Sequence, residues 1–523
     1  MEQKAVDMGG EAVSLDIGAV AALIAEHKAA RRPGLEVLWR YYRNPIELTR
    51  KGVHSKSRRG QAVGLPARLT GLGGAQGLGG VSGLAGGLGF DDRVASREIV
   101  IENDIAWRIH TMVDFIFGKP IRVRSTARDA SKRAQIDRML DAVWEGSGGV
   151  SLLQDMALLG HVYGHVDLVL RVDEGRLEEM GAAQADPWLV GRAMTVEVIE
   201  PTRGVPIVSK TDCREFDGYV IYADGDGSEQ NNSRDAQSCA RESLLQRFGF
   251  GKLGLGLGRM HGPESHEKIS GVVEVFGATD RWVYVDGELV ESQRLGYSGG
   301  RVPIVHIQNL AQPFRYAGLS EVEALVPLQD ELNTRLSDRA SRVTMQSFKM
   351  YLAKGIEGFD AVPVGPGQVW STDNPDAGIS SFGGDASSPS EESHIKEVRD
   401  AFDKVSGVPP LATGVVQGRV GNLSSSNALK ITLVGLLAKT ERKRVSYGRG
   451  LSEMSRMMLV AFDAAGVLET DPRDRGIRIE WADPLPVDVA DETLAAKRKV
   501  ELGVPSVRVL DELGYEPTDP GIG

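Results

Sequence analysis

The stretch LSEVEALVPLQDELNTRLSDRASRVTMQSFKMY, Leu319 to Tyr351, is the most regular in the chain, and the rest is read outward from it. Val322, Leu325, Leu328, Leu332, Leu336, Ala340 and Val343 recur every three or four residues and form one apolar stripe, the pattern of an amphipathic helix. Glu331 with Arg335 and Asp338 with Arg342 stand four apart with the acid first, the order that supports a helix. Pro327 sits near the start of the helix or kinks its first turn, since proline supplies no N–H. About 25 residues give a rod of roughly 38 Å. Gly355 to Pro389 then reads as short strands and loops anchored by Val362, Val364, Val369 and Trp370, and Glu391 to Val405 reads as helix again. Two rods therefore bracket a compact module.

Downstream, Gly407 to Leu423 holds Pro409, Pro410, Gly414, Gly418 and Gly421 and cannot be continuous helix. Ser424, Ser425 and Ser426 offer an N-cap for a second long helix running to about Ala461. A strand, Ile477 to Trp481, and a polar helical tail, Asp488 to Leu513, follow.

Upstream, Asp16 to Ala30 is predicted helical, with Ile17, Val20, Ile24 and His27 in phase; Pro33-Gly34 is predicted to break it, and Leu35 and Leu38 to start a second short helix. Glycines crowd Gly60 to Gly89 so densely that ordering them would cost much entropy, so a flexible arm is expected. Ile105, Ile109, Met112, Val113 and Ile116 mark a helix ended by Gly118-Lys119-Pro120, and Ile121 to Ser125 a strand. Further helices carry Ile136, Met139, Leu140, Val143 and Trp144, then Leu152, Leu153, Met156 and Leu159. Val166, Leu168, Leu170 and Val172 alternate with His165, Asp167, Val169 and Arg171, a near-clean pattern that predicts a half-buried strand. Short strands are expected at Met194–Ile199, Gly218–Ala223, Gly271–Phe276, Arg281–Val285 and Val302–Ile307. Asp224 to Lys268, rich in Gly, Ser, Asn and charge, reads as an inserted loop. The class is α+β.

At 523 residues the chain exceeds one compact core, and two or more modules are expected. Hydrophobic residues at 41% and charged residues at 25% fit a folded soluble protein. No apolar run is long enough to span a membrane, and Met1 to Gly10 does not read as a signal peptide. Cys213 and Cys239 lie in polar surroundings and make no disulfide framework. The net charge of -11 speaks against tight phosphate binding, though not against a surface over which DNA slides.

The chemical motifs fail on context. His161 and His165 are four apart but fall where a helix gives way to a strand, so the spacing loses its ligand geometry. No Gly-Lys precedes Ser or Thr, so the phosphate-binding P-loop is missing. Gly249 to Gly254 fits G-x-G-x-x-G without the strand that must lead into it. Gly296-Tyr-Ser-Gly-Gly300 fits G-x-S-x-G, yet a strand follows where a nucleophile elbow needs a helix. No catalytic residue, cofactor or metal is expected.

Four pieces, in order, resemble the portal proteins of tailed bacteriophages, particularly those of siphophages of Gram-positive hosts, from about Asn103 to Tyr515. They are Asp114-Phe-Ile-Phe-Gly-Lys-Pro-Ile121, Gly300-Arg-Val-Pro-Ile-Val-His-Ile307, the rod Leu328 to Asp338, and Ser406-Gly-Val-Pro409 followed by Ser424-Ser-Ser-Asn-Ala-Leu-Lys430. Ser426-Asn427 departs from the Ser-Gly of the family pattern; 60–89 and 224–268 have no counterpart in it.

The resemblance implies a head-to-tail connector at the capsid vertex of the virion, assembled in the host cytoplasm. It would be a ring of about twelve copies closed by a heterologous interface, through which double-stranded DNA passes during packaging and ejection. Its parts would be an N-terminal helical segment (1–59), the arm (60–92), a mixed wing (93–318, with the 224–268 insertion) and a first stem helix (319–348). A small α/β clip (349–389), the second, antiparallel stem helix (390–405) and a tunnel loop (406–424) would follow, then a long helix returning to the wing (425–486) and a helical crown (487–523). Implied partners are the terminase large subunit, the head–tail adaptor, and the major capsid and scaffolding proteins, with no membrane.

On this reading Val415, Val416, Gln417, Arg419, Val420 and Asn422 face DNA. Leu325, Leu332, Leu336 and Val343 pack the stem while Asp330, Asn333 and Ser337 turn a polar face to the lumen, although an ordinary core helix would show the same periodicity. The basic group Lys439, Arg442, Lys443 and Arg444 meets DNA, a neighbouring copy or solvent. The alternatives are a packaging enzyme of the terminase kind, and another minor head or adaptor protein.

Overall fold

The computed structural model describes residues 17–44, 100–180, 186–209, 212, 215–224, 271–347, 350–354, 373–382, 388–413, 430–485 and 489–513. The expected glycine arm, the insertion beyond Asp224, Val362, Val364, Val369 and Trp370, the N-cap serines 424–426 and all six expected tunnel residues lie outside the described residues. The chain divides into two units, one of Met1–Trp39, Arg108–Glu323 and Gly407–Gly523, the other of Arg40–Trp107 and Ala324–Ser406.

In the first unit α1 (Ile17–Glu26) does not stop before Pro33. It continues through a π-helical turn, His27–Arg31, into α2 (Arg32–Arg43), whose last residues belong to the second unit. Pro33 is the second residue of α2, directly after the π-helical turn, whose wider winding makes room for a residue without an N–H. Helix α3 (Asp104–Phe117) leads by way of β1 (Arg122–Ser125) to α4 (Ala130–Gly146), which Asp129 caps by accepting from the Ser131 and Lys132 amides. All five apolar positions predicted for α4 are buried.

Helix α5 (Gly149–Tyr163) ends at Gly164, whose φ of 86° turns the chain into β2 (His165–Val172). A Cβ at Gly164 would also lie 2.5 Å from the Gly318 carbonyl oxygen, so this corner needs glycine twice over. Two short helices that patterning missed, α6 (Glu174–Met180) and α7 (Pro187–Ala193), precede β3 (Met194–Ile199). Strands β4 (Gly204–Val208), β5 (Phe216–Asp224), β6 (Gly271–Phe276), β7 (Asp280–Val285) and β8 (Glu288–Arg294) form one antiparallel meander in sequence order. Strand β9 (Ile304–Gln308) and β3 flank β2 in a second antiparallel sheet.

Among the described residues, three later α-helices of seven residues or more belong to this unit. Helix α10 (Val434–Ala464) buries Leu436, Leu451, Met454, Met458, Leu459 and Phe462, and packs against β9 and β2. Gly450 permits that approach, because a Cβ there would come within 2.4 Å of Ile307 Cγ1. Strand β12 (Ile477–Glu480) pairs with β1, and α11 (Val489–Glu501) and α12 (Ser506–Glu512) end the described chain.

In the second unit the rod is α8 (Val326–Ser347), shorter than the predicted Leu319–Tyr351. It begins after a 3-10 turn, Glu323–Leu325, so Pro327 lies in the first turn, where its lack of an N–H costs least. Strands β10 (Met350–Lys354) and β11 (Gly378–Phe382) pair antiparallel, and α9 (Pro389–Ser406) follows. The ion pairs Arg342–Glu391, Arg339–Glu392 and His394–Glu331 run in opposite directions along the two helices, so α8 and α9 are antiparallel.

Candidate functional site

In the second unit, Leu325 and Leu332 are buried and Leu336 is half-buried, while Val343 is exposed at 39%. The polar residues depart from expectation. Asn333 and Ser337, assigned to an aqueous lumen, are buried. Asn333 Oδ1 accepts the Glu102 amide at 3.0 Å, and Ser337 Oγ accepts the Val100 amide at 3.0 Å. The Asp330 carboxylate accepts the Tyr41 hydroxyl at 2.9 Å. A strap, residues 100–103, therefore lies against Asn333 and Ser337, and Tyr41 against Asp330; periodicity marks a polar stripe but not what lies on it.

The basic group on α10 also needs correction. Of its four members only Arg442 is exposed in this chain. Lys443 is 1% exposed and Lys439 nearly as enclosed, and both turn to Glu321, with Lys439 Nζ 2.5 Å from Oε2 and Lys443 Nζ 2.7 Å from Oε1. The Lys443 pair is an ion pair without an aligned hydrogen bond, and its Nζ also reaches Met112 Sδ at 3.5 Å. Arg444 donates to the Ala482 carbonyl at 2.6 Å, pairs with Glu441 and lies over the Trp481 ring. Three of the four cations thus have partners inside the fold.

Burial alone would raise the Glu321 carboxyl, but Lys443 and Lys439 outweigh it and bring it to about 2. Burial lowers Lys443 to about 8 despite Glu321, helped by the like charge of Lys439. His161 closes this centre from α5. Its Nδ1 bonds the Ala157 carbonyl at 2.6 Å, and burial, with Lys443 beside it, holds the ring neutral. Neither the sequence distance between Glu321 and Lys439 nor any local motif announces the centre. The one legible signal is a lysine pair four apart on a helix with no acid between them except Glu441.

A second buried carboxylate, Asp167 on β2, accepts from His306 Nδ1 at 2.7 Å, from the Tyr219 hydroxyl at 2.6 Å and from the Tyr316 hydroxyl. Burial would raise it, and the facing His306 ring outweighs burial and lowers it. The other ring nitrogen of His306 faces the Tyr316 carbonyl at 2.7 Å, so the Asp167–His306 pair has no nitrogen left for proton transfer to a substrate. Ser298, of the G-x-S-x-G match, sits in a 3-10 turn and donates to the Ala278 carbonyl at 2.6 Å or the Leu295 carbonyl at 3.1 Å. Among the described residues no cluster of His, Cys, Asp and Glu could hold a metal ion, and no helix is long and apolar enough to cross a membrane.

No curated protein matches the chain. Among solved structures it is similar to chains of gene transfer agent particles. One is from the virion of the native particle, at 12% identity and a TM-score of 0.42, covering 79% of this chain and 89% of that one. Another is from the neck of the empty particle computed with C6 symmetry, at 14% identity and 0.43, covering 79% and 90%. A third is from the neck of the native particle computed with C12 symmetry, at 12% and 0.40, covering 79% and 90%. The sequence model of the family described as "Phage portal protein, SPP1 Gp6-like" matches residues 23–509, nearly the whole chain, and the chain belongs to that family.

Proposed function

We propose that identical copies of this chain close into a ring of about twelve around a channel for double-stranded DNA, at the vertex where a phage-like virion is filled and emptied. Family membership over residues 23–509 supports this reading. So does the order of elements around α8: helix, antiparallel hairpin, antiparallel helix, a Pro- and Gly-containing stretch, then the 31-residue α10. In this reading α8 and α9 are the stem, β10 and β11 belong to the clip, 406–424 is the tunnel loop, α10 returns to the wing, and α11 with α12 form the crown. The clip is where a terminase large subunit docks and later a head–tail adaptor, and the ring's outer face meets capsid and scaffolding proteins. The work is conduit and platform, with no bond-making step.

DNA must move through such a ring without sticking. Each added phosphate contact strengthens adhesion, so a constriction with one basic residue, Arg419, among Val415, Val416, Gln417 and Val420 suits sliding better than a basic collar. Deleting within Gly414–Gly421 is expected to leave ring assembly unchanged and to abolish most DNA filling of purified proheads. Normal filling by the shortened protein would take the loop out of the mechanism.

A further inference from the structure

We propose that α8 carries a backbone-reading strip, Gln329, Asn333 and Ser337, which holds the chain at Val100 and Glu102 through their main-chain groups. The three residues are spaced one helical turn apart and are all buried. Val100 and Glu102, two apart, both present their amides to α8, as alternation along an extended chain would give. Ser337 Oγ accepts the first and Asn333 Oδ1 the second. Gln329 Nε2 donates to the Glu102 carbonyl at 2.5 Å and to Asn333 Oδ1 at 3.0 Å, which fixes the Asn333 amide with its oxygen towards the strap. The Ser337 hydroxyl has one proton, and the Asn333 carbonyl at 2.7 Å outcompetes the Val100 carbonyl at 3.3 Å for it.

The order of side-chain lengths follows from geometry. Two extended residues advance about 6.6 Å, and four helical residues about 6 Å. Ser337 and Asn333 therefore meet successive amides nearly in step. From Asn333 to Gln329 the helix moves another full turn, while the target moves only from the nitrogen to the oxygen of Glu102. The longest of the three side chains stands where the mismatch is greatest. Gln329 Oε1 is buried with no partner among the described residues, so this amide is used through its donor end.

Around the strip, Asn103 accepts from the Ala106 amide and donates to the Tyr42 carbonyl, and Arg399 of α9 pairs with the Glu102 carboxylate. The tether thereby ties the end of α2 to α8 and α9. None of this depends on the ring.

Amide hydrogen exchange on the full-length protein tests it. Exchanging the ends of the strip, Gln329→Ser with Ser337→Gln, keeps composition and loses reach. The Val100 and Glu102 amides are expected to exchange about tenfold faster or more, while Val100→Ala, which keeps its N–H, stays at the parent rate. Val100→Pro deletes one bonded amide without touching α8 and is expected to free Glu102 in the same way, whether or not the swapped protein folds. Slow exchange at Glu102 in Val100→Pro, or a strap freed by Val100→Ala, overturns the proposal.

Discussion

Replacing Glu321 by alanine is expected to destabilise the fold by about 3–5 kcal/mol, because it leaves Lys443 buried without its anion. Lys443 can shed its proton, so neutralisation limits the cost. This gives the prediction a sign in pH. Removing Glu321 lowers Lys443 further below the value of about 8 that it has beside the carboxylate. A cation whose pKa falls on folding costs stability wherever the unfolded chain holds more protons, so the variant gains on the parent protein as pH rises towards 8.

The parent protein has its own acid limit. Glu321 and Glu274 are each brought from 4.5 to about 2, Glu274 because Arg171 and Arg281 outweigh burial. Their stabilisation is complete above 4.5 and disappears as pH falls towards 2. Urea denaturation across pH measures both effects. A deficit for Glu321→Ala that is below 1 kcal/mol, or that does not narrow as pH rises, would show that the two lysines are not held by this carboxylate.

Asp167→Ala should cost about as much, roughly 3–5 kcal/mol, for a different reason. Three buried donors, on His306, Tyr219 and Tyr316, lose one acceptor at once, and each buried donor left unpaired carries its own desolvation penalty. Asp167→Asn keeps a neutral oxygen in place and is expected to fall between parent and alanine variant. A smaller cost for alanine than for asparagine in denaturation midpoints would contradict the assignment of Asp167 as the shared acceptor.

What could be read in the sequence was the local part of the fold. Along α4 the helical period alone selects the five residues that become buried, since a helix on a core has one apolar stripe and Asp129 marks its start. β8 was missed because ELVESQR, an edge strand, has no alternation strong enough to separate it from loop. The alternation of β2 predicts a half-buried strand, yet its polar face is enclosed too, because Tyr219 and Tyr316 come from distant segments to meet Asp167.

The same limit governs the site. Lys439 and Lys443 look like a solvated or DNA-facing patch until Glu321, 118 residues before Lys439, is brought beneath them. Asn333 and Ser337 look like a lumen face until a strap more than 200 residues earlier lies across them. In both cases a polar residue's partner, not its own period, decides its role.

The account stands most directly on assembly, and electron microscopy of the purified full-length protein measures it. The expected image is a closed ring with a central hole and near-twelvefold symmetry. Particles that remain single copies at every concentration and salt, or that pack without a central opening, would contradict it.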